Sequence, residues 1–142
     1  MRIETVGIAG IGSIGAMYGS LIQKALGPGH VFAIADEERI IRYRRDGVYV
    51  NGERQDFLFV TPEEAQAVDL LIFASKYYSL PAAIECARKA CGEGTIVMSF
   101  LNGVTSEGMI REKLGAGHLL YTTVQGMDAR KAGNQIFMEI GR

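Results

Sequence analysis

The most constraining feature of the sequence is a group of three closely spaced glycines between two segments of different periodicity. An apolar, β-branched run at Ile3–Ala9 leads into Gly10-Ile11-Gly12-Ser13-Ile14-Gly15, and Ser13–Leu26 then carries apolar residues at helical spacing. This order predicts a buried strand joined to a helix by a tight glycine turn. A helix that starts where a buried strand ends is typical of a sheet whose faces are covered by helices.

The same alternation of strand and helix signals continues along the chain. Helix-start and helix-stop residues such as Pro, Thr and Gly separate the segments. Further strands are predicted at Val31–Ala35, Leu70–Ala74, Thr95–Phe100, His118–Val124 and Gln135–Ile140, and helices at Glu37–Arg45, after Thr61-Pro62-Glu63-Glu64, at Leu80–Cys91 and at Thr105–Leu114. Gly47–Val60 predicts a hairpin that turns at Asn51-Gly52. The pattern predicts an α/β fold with a doubly wound, mainly parallel sheet.

Composition bounds the class of protein. The length of 142 residues fits one domain, 1–142, and 48% hydrophobic with 22% charged residues is a globular balance. A net charge of −1 offers no basic excess for nucleic acid, and the apolar stretch Leu70–Ala74 is far shorter than the about 20 residues of a membrane span. Cys86 and Cys91 fit no metal or redox spacing, and Glu4 interrupts any export signal, so we expect a cytoplasmic protein without a metal.

The glycine turn has a specific chemical use when a strand precedes it and a helix follows it. Gly10 permits the tight turn, Gly12 lets a pyrophosphate approach the backbone, and Gly15 lets the helix pack against the strand. The free N–H groups at the start of the helix favour an anion. The turn therefore predicts a Rossmann-type dinucleotide site at Gly10, Ile11, Gly12, Ser13, Ile14 and Gly15. Gly19, one turn further on, is interpreted as a helix-packing contact.

Asp36 follows the second predicted strand and lies 21 residues after Gly15. A carboxylate at this spacing accepts hydrogen bonds from a ribose, which favours NAD(H) over the phosphorylated NADP(H). Asp36 could equally cap the next helix, and the two roles are compatible. Arg39 and Arg42 are near enough in sequence to reach a 2′-phosphate if the loop folds back.

With these residues the chain resembles the N-terminal domain of the ketopantoate reductases (2-dehydropantoate 2-reductases). The resemblance runs over nearly the whole chain, and its most family-specific parts are Lys76 and Asn102-Gly103. It is carried by Gly10–Gly15, Ile34-Ala35-Asp36-Glu37-Glu38-Arg39, Arg45-Asp46-Gly47-Val48, Phe73-Ala74-Ser75-Lys76, Leu101-Asn102-Gly103-Val104 with Glu107, and Lys131-Ala132-Gly133.

The resemblance implies NADPH-dependent reduction of ketopantoate, a small 2-oxo acid, to pantoate in pantothenate biosynthesis. Lys76 would bind near the adenosine end of the cofactor, and Asn102 near the nicotinamide and the substrate. The family commonly has arginine where this chain has Asp36, so NADP(H) is expected from the family and NAD(H) from this residue. The family's helical second domain supplies the general-acid lysine, so we expect the chain alone to be nearly inactive.

Two other interpretations stay open from the sequence. One is a non-catalytic dinucleotide-binding or redox-sensing module, and the other is the cofactor domain of a different 2-hydroxy acid dehydrogenase. An apolar face left for a second domain could also drive self-association, which makes a homodimer a candidate assembly.

Overall fold

The computed structural model of the protein describes residues 3–74, 79–99, 104–114, 119–120, 127–132 and 135–140, with the backbone alone at 13, 14, 104–107, 113, 119–120, 127–132 and 135–140. In chain order the elements are β1 (Val6–Ala9), α1 (Ser13–Leu26), β2 (Val31–Ile34), α2 (Glu37–Asp46), β3 (Tyr49–Val50), β4 (Glu53–Arg54), β5 (Leu58–Val60), β6 (Leu70–Phe73), α3 (Leu80–Cys86), a 3-10 turn (Arg88–Ala90), β7 (Ile96–Ser99), α4 (Val104–Leu114), β8 (Leu119–Leu120), β9 (Met127–Ala132) and β10 (Gln135–Ile140).

The main sheet has six parallel strands in the order β5-β2-β1-β6-β7-β8. Numbered by their sequence among the six, these strands run 3-2-1-4-5-6, which is the doubly wound arrangement of dinucleotide-binding folds. The strand order reverses between β1 and β6, so the carboxyl ends of these two strands flank a crevice. The predicted fold class is confirmed.

Both faces of the main sheet are buried. Neighbouring residues along a strand point to opposite sides, and both sets lie in a hydrophobic core. Ile8 belongs to the core that packs under α1 and α2, whereas Ala9 belongs to the core under α3 and α4. Ala33 and Ile34 divide between the two cores in the same way. This explains why the strands are continuous apolar runs in the sequence rather than alternating ones.

A second, four-stranded sheet in the order β4-β3-β10-β9 lies beside α1. The hairpin prediction was partly wrong. The turn at Asn51-Gly52 is present, with φ of 50° and 82°, but β3 pairs with β4, and β5 instead joins β2 in the main sheet. Gln135–Ile140 is a strand as predicted, but it pairs with β3 and with the unpredicted strand β9.

The segment between β5 and β6 does not form the predicted helix. Thr61 and Glu64 make a reciprocal capping box, with Thr61 N donating to Glu64 Oε1 at 2.9 Å and Glu64 N to Thr61 Oγ1 at 3.3 Å, but a single turn follows. The segment must cross three strand spacings of roughly 5 Å and run back along a four-residue strand of roughly 13 Å. A nine-residue helix would span only about 13 Å, so the chain extends.

The amino edge of the main sheet is held by side chains that bond to the backbone. Asp69 Oδ2 accepts from Glu4 N at 2.8 Å and from Thr5 N at 3.1 Å, and Thr5 Oγ1 accepts from Asp69 N at 2.9 Å. Thr95 Oγ1 donates to Val68 O at 2.7 Å and accepts from Gly92 N at 2.8 Å. These bonds join β1, β6 and β7 at the end opposite the glycine turn.

We expect Asp69→Asn to lower the melting temperature at neutral pH and to flatten its dependence on acid. The two backbone N–H donors hold the pKa of the Asp69 carboxyl below its ordinary value. A lowered folded-state pKa stabilises the fold above the unfolded pKa, about 4, and this contribution is lost as the pH falls through the folded-state pKa. Thermal unfolding followed by circular dichroism between pH 7 and pH 3 measures both effects.

Asp56→Asn is the control, because no described residue donates to the Asp56 carboxylate. Its melting temperature should follow that of the unaltered protein across the pH range. Equal shifts in the two variants would show that the Asp69 bonds add nothing specific to stability.

Candidate functional site

The turn from β1 to α1 has the backbone conformation that its glycines predict. Gly10 has φ of 97°, in the region that favours glycine, and Gly12 is extended at the N-cap of α1. The first helical hydrogen bond runs from Ala16 N to Gly12 O at 3.0 Å. The chain therefore passes from strand to helix within three residues, Gly10 to Gly12.

Gly12 faces a space that the described residues leave open. A Cβ built at this position meets no described atom within 4 Å. A side chain at Gly12 would thus cost the fold little and would instead occupy the space beside the start of α1. That is the space in which a diphosphate would contact the backbone of such a turn.

Gly15 is in the opposite situation, because a Cβ here would collide with the carbonyl oxygen of Gly10. It would also lie 3.3 Å from Ala74 Cβ and 3.3 Å from Ile8 Cγ2. The first turn of α1 can approach β1 and the end of β6 only because this residue has no side chain. Ala74 N also donates to Ala9 O at 3.0 Å, which ties together the two strand ends that flank the crevice.

The start of α1 is electrostatically suited to an anion. No side chain that the structure describes caps this helix, and its first turn contains no acidic residue. The start of α2 is the reverse, since Asp36 caps it and Glu37 and Glu38 follow. The partial positive charge of a helix N-terminus is therefore already balanced at α2 and remains available at α1.

Asp36 lies directly after β2, at the same edge of the sheet as the glycine turn. Its Oδ1 accepts from Arg39 N at 2.9 Å, which is the capping role considered from the sequence. Its Oδ2 lies 3.5 Å from Arg39 Nε, and half of the Asp36 side chain is exposed. The outward lone pairs of the carboxylate remain open to a hydroxyl donor.

Two predicted site residues, Lys76 and Asn102, lie outside the described residues. The strands that precede them do end at the expected edge, since β6 ends at Phe73 and β7 at Ser99. For Ser13 and Ile14 the backbone alone is described, in the first turn of α1. Arg39 lies three residues after Asp36, and the first turn of α2 brings its guanidinium to that carboxylate.

Other chemistry is sparse in the described part of the chain. Cys86 and Cys91 are free and half-buried; burial raises the pKa of both thiols, and the charge of Asp36 raises that of Cys86 further. The described residues contain no cluster of three His, Cys, Asp or Glu side chains suited to a metal ion. Over the same ranges, every helix is too short or too polar to traverse a lipid bilayer.

Comparison with known proteins gives one consistent family. Residues 6–139 match the family model described as ketopantoate reductase PanE/ApbA. The chain belongs to this family. A curated relative, 2-dehydropantoate 2-reductase of Streptococcus pyogenes serotype M1, is 29% identical over 118 residues, which are 80% of this chain and 38% of that protein. The chain thus spans about two-fifths of the length of the curated relatives it matches.

Solved structures of a ketopantoate reductase and of a D-mandelate dehydrogenase share the fold. The crystal structure of a putative ketopantoate reductase from Ralstonia solanacearum MolK2 superposes with a TM-score of 0.81 at 17% identity, covering 99% of this chain and 51% of that one. The ternary complex of D-mandelate dehydrogenase with NADH and anilino(oxo)acetate gives a TM-score of 0.76 at 18% identity, covering 95% and 45%. At these identities the likeness concerns the fold.

We expect Gly15→Ala to destabilise the protein by about 1–3 kcal/mol, because the new methyl group must displace either the Gly10 carbonyl or the start of α1. Urea unfolding measures the change. Gly108→Ala is the matched control: Gly108 lies in α4, where an added Cβ meets open space, so alanine should stabilise by up to about 1 kcal/mol. Similar effects of the two substitutions would contradict the close approach inferred at Gly15.

Proposed function

We propose that this chain is the cofactor-binding part of an NAD(P)H-dependent reductase that converts ketopantoate to pantoate. The observation that carries the proposal is the space that the described residues leave open at Gly12, beside a helix N-terminus that none of their side chains caps, at the switch point of a doubly wound sheet. Membership of the ketopantoate reductase family supports the reaction. The named activity of the Streptococcus relative supports the same substrate class, a small 2-oxo acid.

The described residues fit a dinucleotide. The N–H groups in the first turn of α1 would hold the diphosphate, and the missing side chain at Gly12 leaves the distance short enough for direct bonds. Asp36 would accept hydrogen bonds from the adenosine ribose through the carboxylate face that Arg39 leaves exposed. A ribose diol donates well to a carboxylate, whereas a 2′-phosphate is repelled by it, so Asp36 favours NAD(H).

The remaining roles fall to residues at the ends of β6 and β7. Lys76 would bind near the adenosine end, where its charge attracts phosphate. Asn102 would orient the carboxamide or the substrate, since an amide both donates and accepts. When bound, the reduced nicotinamide supplies the hydride that the ketone carbon receives.

Reduction also requires a proton for the oxygen of the former ketone. The family resemblance assigns that proton to a lysine of a helical second domain, and the chain spans 38% of the curated relative. Ketopantoate reductase activity therefore needs residues beyond the cofactor platform described here. The platform itself would supply binding and orientation.

We expect Gly12→Val to weaken NADH binding at least about tenfold, equivalent to about 1.4 kcal/mol, while the melting temperature stays close to that of the unaltered protein. The isopropyl group would occupy the open space where the diphosphate belongs, and it meets no described atom in the free protein. Isothermal titration with NADH and NADPH measures the affinities.

Gly94→Val is the matched control. Gly94 precedes β7 at the opposite edge of the sheet, and a Cβ there also meets open space. This variant should keep the affinity for both dinucleotides. Undiminished binding by Gly12→Val would remove the diphosphate from this turn, and no binding by the unaltered chain would overturn the proposed function.

The 142-residue chain by itself should reduce ketopantoate about 10²–10⁴-fold more slowly than a full-length relative. This is the factor by which a positioned general acid usually raises the rate. Loss of reduced-nicotinamide absorbance with ketopantoate present measures the rate, and the Streptococcus enzyme is the reference. A rate equal to the reference would show that the general acid lies within these 142 residues.

A further inference from the structure

The pairing of Asp36 with Arg39 bears on which dinucleotide this platform accepts. Two contacts join the residues, and they differ in kind. The backbone N–H of Arg39 holds Asp36 Oδ1 at 2.9 Å, whereas the guanidinium approaches Oδ2 only to 3.5 Å. Both side chains are about half exposed, at 51% and 50%. The carboxylate therefore stays anchored by the backbone if the guanidinium moves away.

Arg39 is the arginine of α2 whose guanidinium lies at the proposed ribose site. Its Nη atoms have no acceptor among the described residues, so the two-pronged end of the side chain is available to a ligand. The other three arginines of the helix are directed elsewhere: Arg42 lies over the Tyr43 ring at 5.8 Å, Arg44 donates to Phe59 O and Glu64, and Arg45 forms a two-bond pair with Asp46.

The charges around Asp36 explain why a cation here matters. Asp36, Glu37 and Glu38 are consecutive and exposed, so a 2′-phosphate arriving at the ribose site meets a concentrated negative field. An exposed ion pair at 3.5 Å contributes little to stability, so breaking it costs little. A guanidinium binds phosphate through two parallel hydrogen bonds, which is a stronger arrangement than its present contact.

We propose that Arg39 is the specificity-determining residue for NADP(H), exchanging its contact with Asp36 for the 2′-phosphate. With NAD(H), Arg39 stays beside Asp36 and the carboxylate accepts from the ribose. With NADP(H), the guanidinium turns outward and neutralises the phosphate. The inference rests on the proposed dinucleotide function, and it makes the platform accept both cofactors with a preference for NAD(H).

The test compares Arg39→Gln with the unaltered chain, using dissociation constants for NADH and NADPH from isothermal titration. We expect Arg39→Gln to weaken NADPH binding by about tenfold or more and to change NADH binding by less than about threefold, since a lost charged hydrogen bond is worth that much. Adenosine 2′,5′-bisphosphate and AMP, which differ only in the 2′-phosphate, should show the same contrast. Arg39→Lys, which keeps the charge but not the fork, should recover part of the affinity for NADPH.

The outcomes separate the two proposals. If the unaltered chain binds neither dinucleotide, the proposed function fails. If it binds NADH, and Arg39→Gln weakens NADH and NADPH by the same factor, the function stands and the role of Arg39 is overturned. A selective loss of NADPH in Arg42→Gln instead of Arg39→Gln also overturns it. Melting temperatures close to that of the unaltered chain show that each comparison concerns binding and not folding.

Discussion

The close approach of α1 to the main sheet is the constraint on which the rest of the structure depends. At Gly15 the helix comes so near to β1 that a methyl group would meet the Gly10 carbonyl. One turn later, a Cβ at Gly19 would lie 2.8 Å from both Ile8 Cδ1 and Phe57 Cζ. Two glycines on one helical stripe thus let α1 lie low on the sheet, and Phe57 fills the space that the second leaves.

The same packing decides where chemistry can occur. Because α1 begins directly at the carboxyl end of β1, its free N–H groups open onto the crevice beside β6. The opposite edge carries the bonds of Asp69, Thr5 and Thr95 that tie strands together. One edge of the sheet is therefore tied together by side chains, whereas the described residues of the other edge include the glycine turn, Ala74 and the uncapped start of α1. This division is what a ligand platform requires.

Local signals predicted this fold well, and long-range geometry accounts for the errors. The glycine turn, α1 and the core strands follow from spacing and apolar runs that act within a few residues. The helix-start signal at Thr61-Pro62-Glu63-Glu64 was also a correct local prediction, because Thr61 does cap a turn there. Only one turn forms, since β6 begins three strands away and at the opposite end of the strands. The conformation of that segment is therefore decided by the distance that it must span, and not by its helix propensity.

The hairpin and the site show the same limit. Asn51-Gly52 correctly predicts a tight turn, and the bond from Gln55 N to Val48 O at 2.8 Å continues the pairing of β3 with β4. The chain leaves the hairpin only after Gln55, and Phe57 is buried in the core. β5 is thereby released to pair with β2. At the site, Asp36 was recognisable from its spacing, whereas the return of the Arg39 guanidinium depends on the turn of a helix. Roles for Lys76 and Asn102 stay predictions from the family resemblance.

The pairing of β10 with β3 has a consequence for how the molecule is made. β10 pairs with β3, a strand that lies far from it in sequence, and both strands contact α1. During synthesis, the side of α1 that contacts these strands stays uncovered until Gln135–Ile140 has left the ribosome. Pairings between such distant segments form slowly, so the newborn chain exposes this surface at the stage when chaperones act.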